Sequence, residues 1–236
     1  MGSDSSPEQI REEGLSHALV GLLRGLSSVF WGLPLILLTE AQSDFYNKGR
    51  WIALLAPWVA NGLVLNGLLH LQGFHQQERI WRRALERTLL LGIIHVGLTP
   101  FLFFWQDYPR EPFFAMSVRL LFFCGMLYLY QLNHLIRRLA CMIPDETLRQ
   151  DTELFAGLNR RILSLLMTLV LVYWLVGYLA SLPGSLFLLI RMIDHLLPIV
   201  VIMLVVMPVA MTMTMVWKLK ESVLNMIRLK ASGSSD

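Results

Sequence analysis

The chain has 236 residues, of which 55% are hydrophobic and 16% charged, and its mean hydropathy is +0.55. Soluble domains carry about 25% charged residues, so the deficit, with its repeated long apolar runs, points to membrane spans rather than a large soluble core. The formal net charge of +3 comes from basic residues spread over loops at intervals, a pattern of membrane topology that argues against a nucleic-acid partner.

Residues 1–14, MGSDSSPEQIREEG, are polar and carry net negative charge. No small-residue cleavage site follows at the expected distance, so the next apolar stretch is expected to be a retained span. Residues 8–24 form an amphipathic pattern, with Glu13, His17 and Arg24 on one face and Ile10, Ala18, Leu19 and Leu22 on another. An N-terminal interfacial helix leading into the first span fits this pattern; a first span that starts early fits it too.

Six spans follow, at about 20–40, 51–71, 88–105, 113–136, 160–182 and 193–217. Each is close to the ~20 residues that cross a ~30 Å hydrocarbon layer. In lipid every backbone group must be paired within its segment, so the expected fold is all-α, a polytopic membrane helical bundle. The transmembrane domain occupies 15–218 and the C-terminal tail 219–236. Fifteen of the basic residues fall on one side of this arrangement and five on the other: Lys48, Arg50, Arg110, Arg119 and Arg191. The positive-inside rule then places both termini in the cytoplasm. Trp31, Trp51, Trp105 and Trp217 lie near span ends, as interfacial anchors do.

The loop between spans four and five contains Pro144-Asp145-Glu146, a helix-start signature, and a helix running from there into span five is expected. Its acidic residues Asp145, Glu146, Asp151 and Glu153 read as a solvated face. Spans two and four each end with Leu-Asn, at Leu65-Asn66 and Leu132-Asn133, which would fit a weak internal repeat.

Ionisable and amide groups inside spans are the functional leads, because they are costly in lipid. Arg119 lies ~9 Å into span four, within snorkelling reach of headgroups. Helical spacing puts Arg119, Met126, Tyr130 and Asn133 on nearly one face. Asp194 is the candidate partner of Arg119, locking spans four and six, with Glu40 and Asp107 as alternatives; each group reaching the outer interface by itself is the competing reading. Asn66, Asn133 and His95 complete the structural polar set. His70 and His134, near the inner ends of spans two and four, are the candidate axial ligands of a b-type haem. The competing reading is that both anchor spans at the interface. Met203, Met207, Met211 and Met215 recur every four residues. Thioethers bind Cu(I), but the stripe drifts ~40° per step, so packing is the simpler use.

No GxxxxGK[ST], HExxH, GxSxG or CxxC occurs, which argues against an ATP-binding loop and those hydrolase types. No carboxylate pair lies deep in the spans. Three readings stand: a non-catalytic membrane subunit packed in a larger complex, a permease such as the transmembrane half of an ABC-type transporter, and a haem b or quinone electron-transfer subunit. The partners expected are membrane lipids, other membrane subunits and a cytoplasmic protein at the 72–87 and 137–161 loops. A bacterial inner membrane is the expected location.

Overall fold

The computed structural model describes residues 7–41, 50–74, 78–178 and 205–228. Within them the chain is helical throughout, and no strand occurs among the described residues. The helices are α1 (Pro7–Ala41), α2 (Arg50–Leu71), α3 (Arg79–Leu98), α4 (Pro100–Asp107), α5 (Pro112–Met142), α6 (Glu146–Tyr178) and the described stretch of α7, residues 205–228. Five stretches are long and apolar enough to cross a membrane: Ala18–Glu40, Leu54–Leu71, Arg79–Asp107, Pro112–Met142 and Glu146–Leu175. The sixth expected span begins outside the described residues; its later part, 205–217, is helical.

The hydroxyl groups behave as they must in lipid. Ser27, Thr39, Thr88, Thr99, Ser117, Thr168, Thr212 and Thr214 each donate to the carbonyl four residues earlier, at 2.7–3.0 Å. A hydroxyl without water can be satisfied this way without leaving its helix.

α1 is one unbroken helix of 35 residues, ~52 Å long. The expected interfacial segment and first span are therefore continuous. α1 and α2 are antiparallel neighbours in very close contact. A Cβ built on Gly25 would lie 2.7 Å from the Gly67 carbonyl oxygen, and one on Gly67 would lie 2.7 Å from that of Gly25. Glycine at both positions lets the two backbones meet, which is how helices associate where lipid removes the hydrophobic incentive.

α3 and α4 make one span with an inflection at Thr99. Pro100 has no N–H to offer the carbonyl of Val96, and the Thr99 N–H bonds to both His95 O and Val96 O instead, at 3.1 and 3.2 Å. Thr99 keeps helical dihedrals (φ −54°, ψ −38°), so the helix bends rather than ends. α5 pairs with α3 as a hairpin and also packs on α6. A large apolar core joins α1, α2, α3, α5, α6 and α7, with Leu22, Leu68, Trp81, Leu132, Leu163 and Leu219 fully enclosed.

The α5–α6 turn shows how the chain is punctuated. Ile143 leaves α5 in an extended conformation (φ −87°, ψ 131°), as a residue before proline must. Pro144 precedes the cap instead of occupying the first helical position. Asp145 Oδ1 accepts from the Leu148 backbone N–H at 3.1 Å and the Thr147 hydroxyl at 2.7 Å, while Oδ2 accepts from Ser222 Oγ of α7 at 3.1 Å. The Thr147 and Leu148 donors hold the Asp145 carboxyl below the usual carboxylate range. A depressed folded-state value means that the contribution is complete above the unfolded value, near 4, and disappears as pH falls through the folded one. Asp145→Ala is expected to cost about 1 kcal/mol at neutral pH. Thermal unfolding of wild type and variant checks this, since their difference should vanish in strong acid.

The acidic face is exposed as expected, with Glu146, Asp151 and Glu153 side chains 68%, 50% and 59% accessible, and two of its carboxylates also bridge to neighbouring helices. Asp151 accepts from Lys218 Nζ of α7 at 2.6 Å, and Glu153 from Arg137 of α5 at 2.6 Å. The two Leu-Asn pairs are not equivalent, since Asn66 is exposed and Asn133 is fully buried. An internal repeat would place them alike.

Candidate functional site

Four helices bring Glu40, Asn61, His95 and Tyr128 together. Glu40 sits at the end of α1, Asn61 in mid-α2, His95 near the inflection of the third span and Tyr128 in mid-α5. His95 Nε2 lies 3.0 Å from Glu40 Oε1, with the imidazole 3% and the carboxylate 12% exposed. Asn61 Nδ2 donates to the Pro57 carbonyl at 2.9 Å and reaches the same Glu40 oxygen at 3.5 Å. Thr99 Oγ1 donates to the His95 carbonyl oxygen, tying the bend in the helix to the residue that carries the ring.

Two glycines make room for the rings. A Cβ on Gly125 of α5 would lie 3.0 Å from His95 Cε1; one on Gly92 of α3 would lie 3.2 Å from Tyr128 Cε2. Each ring thus lies against a glycine of the opposite helix, and the rings stack with centroids 6.1 Å apart and planes at 21°. The pattern is reciprocal. Gly92-Ile93-Ile94-His95 on one helix faces Gly125-Met126-Leu127-Tyr128 on its antiparallel neighbour.

His95 Nε2 and Glu40 Oε1 are within hydrogen-bond distance, and each group is of a kind that can carry a proton. Two further polar atoms of the cluster have no partner among the described residues. His95 Nδ1 and the Tyr128 hydroxyl are both buried and make no hydrogen bond. Buried polar atoms are normally paired, so two unpaired ones on stacked rings beside a carboxylate–imidazole pair mark this as the chemically distinctive place in the bundle. Arrangements of titratable groups within spans are functional leads by default.

A second buried cluster has a different character. Asn133 Nδ2 of α5 donates to Thr212 Oγ1 of α7 at 2.9 Å and to the Leu129 carbonyl at 2.8 Å. Asn159 Nδ2 of α6 lies 2.8 Å from Asn133 Oδ1 and 3.1 Å from both the Pro208 carbonyl oxygen and Thr212 Oγ1. All three side chains are fully buried. This network has no titratable group, and it ties α5, α6 and α7 in register.

The remaining residues named from the sequence are placed separately. His70 and Asn66 are on exposed positions of α2, and His134 is half-buried on α5. No hydrogen bond or ring contact joins His70 to His134. Arg119 is exposed, and Asp194, its first candidate partner, lies outside the described residues. Glu40, the alternative partner, is occupied by His95. Asn133, read as a span-edge residue, is enclosed between three helices because its amide finds Thr212 and Asn159 there. Met203 lies outside the described residues; Met207 is 47% exposed, Met211 half-buried and Met215 1% exposed. That winding from surface to core is the drift expected of four-residue spacing. Among the described residues no group of three His, Cys, Asp or Glu side chains could hold a metal ion.

His95 was legible in the sequence, but its partners were not. Glu40 lies 55 residues away and Tyr128 reads as an ordinary aromatic in an apolar run. The signal available was the Gly-x-x-aromatic spacing on two consecutive helices.

The helices and this site define an all-α protein of membrane-spanning type, with a carboxylate–imidazole pair enclosed in its bundle. Comparison of the chain with protein-family models, curated proteins and solved structures finds no match.

Proposed function

We propose that the chain is a proton-coupled permease whose working centre is Glu40, Asn61, His95 and Tyr128. One observation carries this reading: the His95–Glu40 contact at 3.0 Å lies beside two buried polar atoms, His95 Nδ1 and the Tyr128 hydroxyl, that make no hydrogen bond among the described residues. In a neutral imidazole that donates Nε2–H to Glu40, Nδ1 is an acceptor; the Tyr128 hydroxyl can donate. A water molecule or a polar group of a solute entering between them would be bound from both sides and would have a proton path to the carboxylate. Intramembrane Asp, Glu and His are the usual parts of such relays. The Thr99–Pro100 inflection directly above His95 supplies a point at which the helix can change its bend.

The test is proton movement across vesicles containing the purified full-length chain, followed with an enclosed pH-sensitive dye under an imposed pH gradient, alone and with added small solutes. Wild-type vesicles should acidify faster than empty ones, and Glu40→Gln should remove most of that difference, since an amide cannot take up the proton. Equal rates for wild-type and empty vesicles under every condition would overturn the reading.

The second reading is a non-catalytic subunit of a membrane complex. It is favoured by the outer surface: in each span the share buried within the chain is at most 39%, and for the Glu146–Leu175 span it is 22%. Much apolar helix surface is left for lipid or for other subunits. Recovery of the chain from its native membrane in fixed ratio with other membrane proteins would favour it, and a bacterial inner membrane remains the proposed location.

A further inference from the structure

We propose that α2 is the contact helix of a homodimer, its outward face packing against the same face of a second copy of this chain across a two-fold axis normal to the membrane. Ile52, Leu55, Val59, Gly62, Asn66 and Leu69 lie alternately three and four residues apart. That spacing draws one stripe along a helix, the seam through which two helices interlock. All six positions are exposed, the four apolar side chains by 53–70%. The stripe lies on the opposite side of α2 from the face that meets α1, where Val64, Gly67 and Leu71 lie against Gly25 and Gly32.

Asn66 selects the occupant. It lies ~7.5 Å inside the end of the Leu54–Leu71 span, too deep for a short amide to reach headgroups as long basic side chains do. The amides of Asn61, Asn133 and Asn159 are bonded within the chain, whereas Asn66 makes no hydrogen bond among the described residues. Lipid tails offer it no partner. An amide both donates and accepts, so another amide complements it. Copies inserted in the same sense and related by an axis along the membrane normal hold their α2 helices parallel and in register. Each residue of the stripe then faces its own counterpart, and the two Asn66 amides meet. A single asparagine in an apolar seam fixes register and the number of helices in this way. Gly62, one turn from Asn66, lets the backbones approach. A Cβ there meets nothing within 4 Å in its own chain, which leaves the space to the neighbour. The stripe carries no charge that would repel its copy.

The experiment uses the purified full-length chain in phosphatidylcholine vesicles, labelled at its N-terminus with a donor or an acceptor dye. Energy transfer is read as the protein is diluted in lipid. Wild type should show transfer above that of randomly placed chains, with the acceptor dependence of a dimer. Gly62→Leu should abolish it, and Asn66→Leu should weaken association about tenfold. Both positions are exposed, so both variants should keep the fold, which circular dichroism checks. Cysteine placement supplies a second readout. In a chain carrying Cys124→Ser and Cys141→Ser, Leu55→Cys or Leu69→Cys should form an interchain disulfide on oxidation, because an in-register seam brings like positions within reach of that bond. Leu165→Cys, exposed on α6, should not. Wild-type transfer no higher than the random level, undiminished transfer in Gly62→Leu, or cross-linking at position 165 as efficient as at position 69 would each overturn the proposal.

Discussion

Gly67→Val is expected to separate α1 from α2 and to cost the protein several degrees of thermal stability. A single Cβ at position 67 already meets the Gly25 carbonyl oxygen at 2.7 Å, Val29 Cγ2 at 2.9 Å and Ser28 Cβ at 3.1 Å. The first of these is backbone and cannot rotate away. Valine adds two methyl groups at the same point, so the helices must move apart along a contact that runs from Gly25 to Gly32 on α1. Overpacking of this kind costs about 1–3 kcal/mol even where side chains give way, and here they cannot. Gly62 in the same helix provides the comparison, because a Cβ there meets nothing within 4 Å. Gly62→Ala is expected to be stabilising by about 0.4–1 kcal/mol, through reduced freedom of the unfolded chain. Thermal unfolding of both variants in one detergent decides the matter, and a Gly67→Val protein as stable as wild type would show that the helices do not touch where described.

The second large effect concerns the Glu40–His95 pair. Removing either side chain leaves the other enclosed without its partner, at a cost of about 1–3 kcal/mol. A double-mutant cycle of Glu40→Ala and His95→Ala should give a coupling of about 0.5–3 kcal/mol, because groups in direct contact do not add independently. Glu40→Gln separates architecture from chemistry. Its amide can still hydrogen-bond to the imidazole, so stability should stay near that of wild type while proton movement across vesicles falls. A cycle with no coupling would mean that the two groups do not meet in the folded protein.

Sequence patterning goes far where a property is local or periodic. The long apolar runs, the charge deficit and the need for internal backbone pairing in lipid are enough to require helices, and five stretches of suitable length and apolarity are found. The start of α6 was readable too, since Asp145 carries an N-cap signal that needs only its own neighbours. The solvated acidic face was readable as well, but not the contacts that Asp145 and Asp151 make with α7. Lys218, which holds Asp151, and Ser222, which holds Asp145, lie 67 and 77 residues from them, and nothing in local spacing announces such partners.

The buried polar groups divide in the same way. His95 and Asn133 stand out in sequence because polar groups within spans are costly wherever they face. Whether each is an edge residue, a structural tie or a chemical centre depends on what stands opposite. Asn133 becomes a tie because Asn159 and Thr212 converge on it; His95 is paired with a carboxylate because Glu40 ends its helix beside it and Gly125 leaves space for its ring. The apolar, span-length character and the helical class follow from the chain alone, since each depends on composition or on spacing along a single helix. The pairing of a carboxylate with an imidazole was decided only by tertiary packing, because it requires distant helices to meet at one level and glycines to let them close.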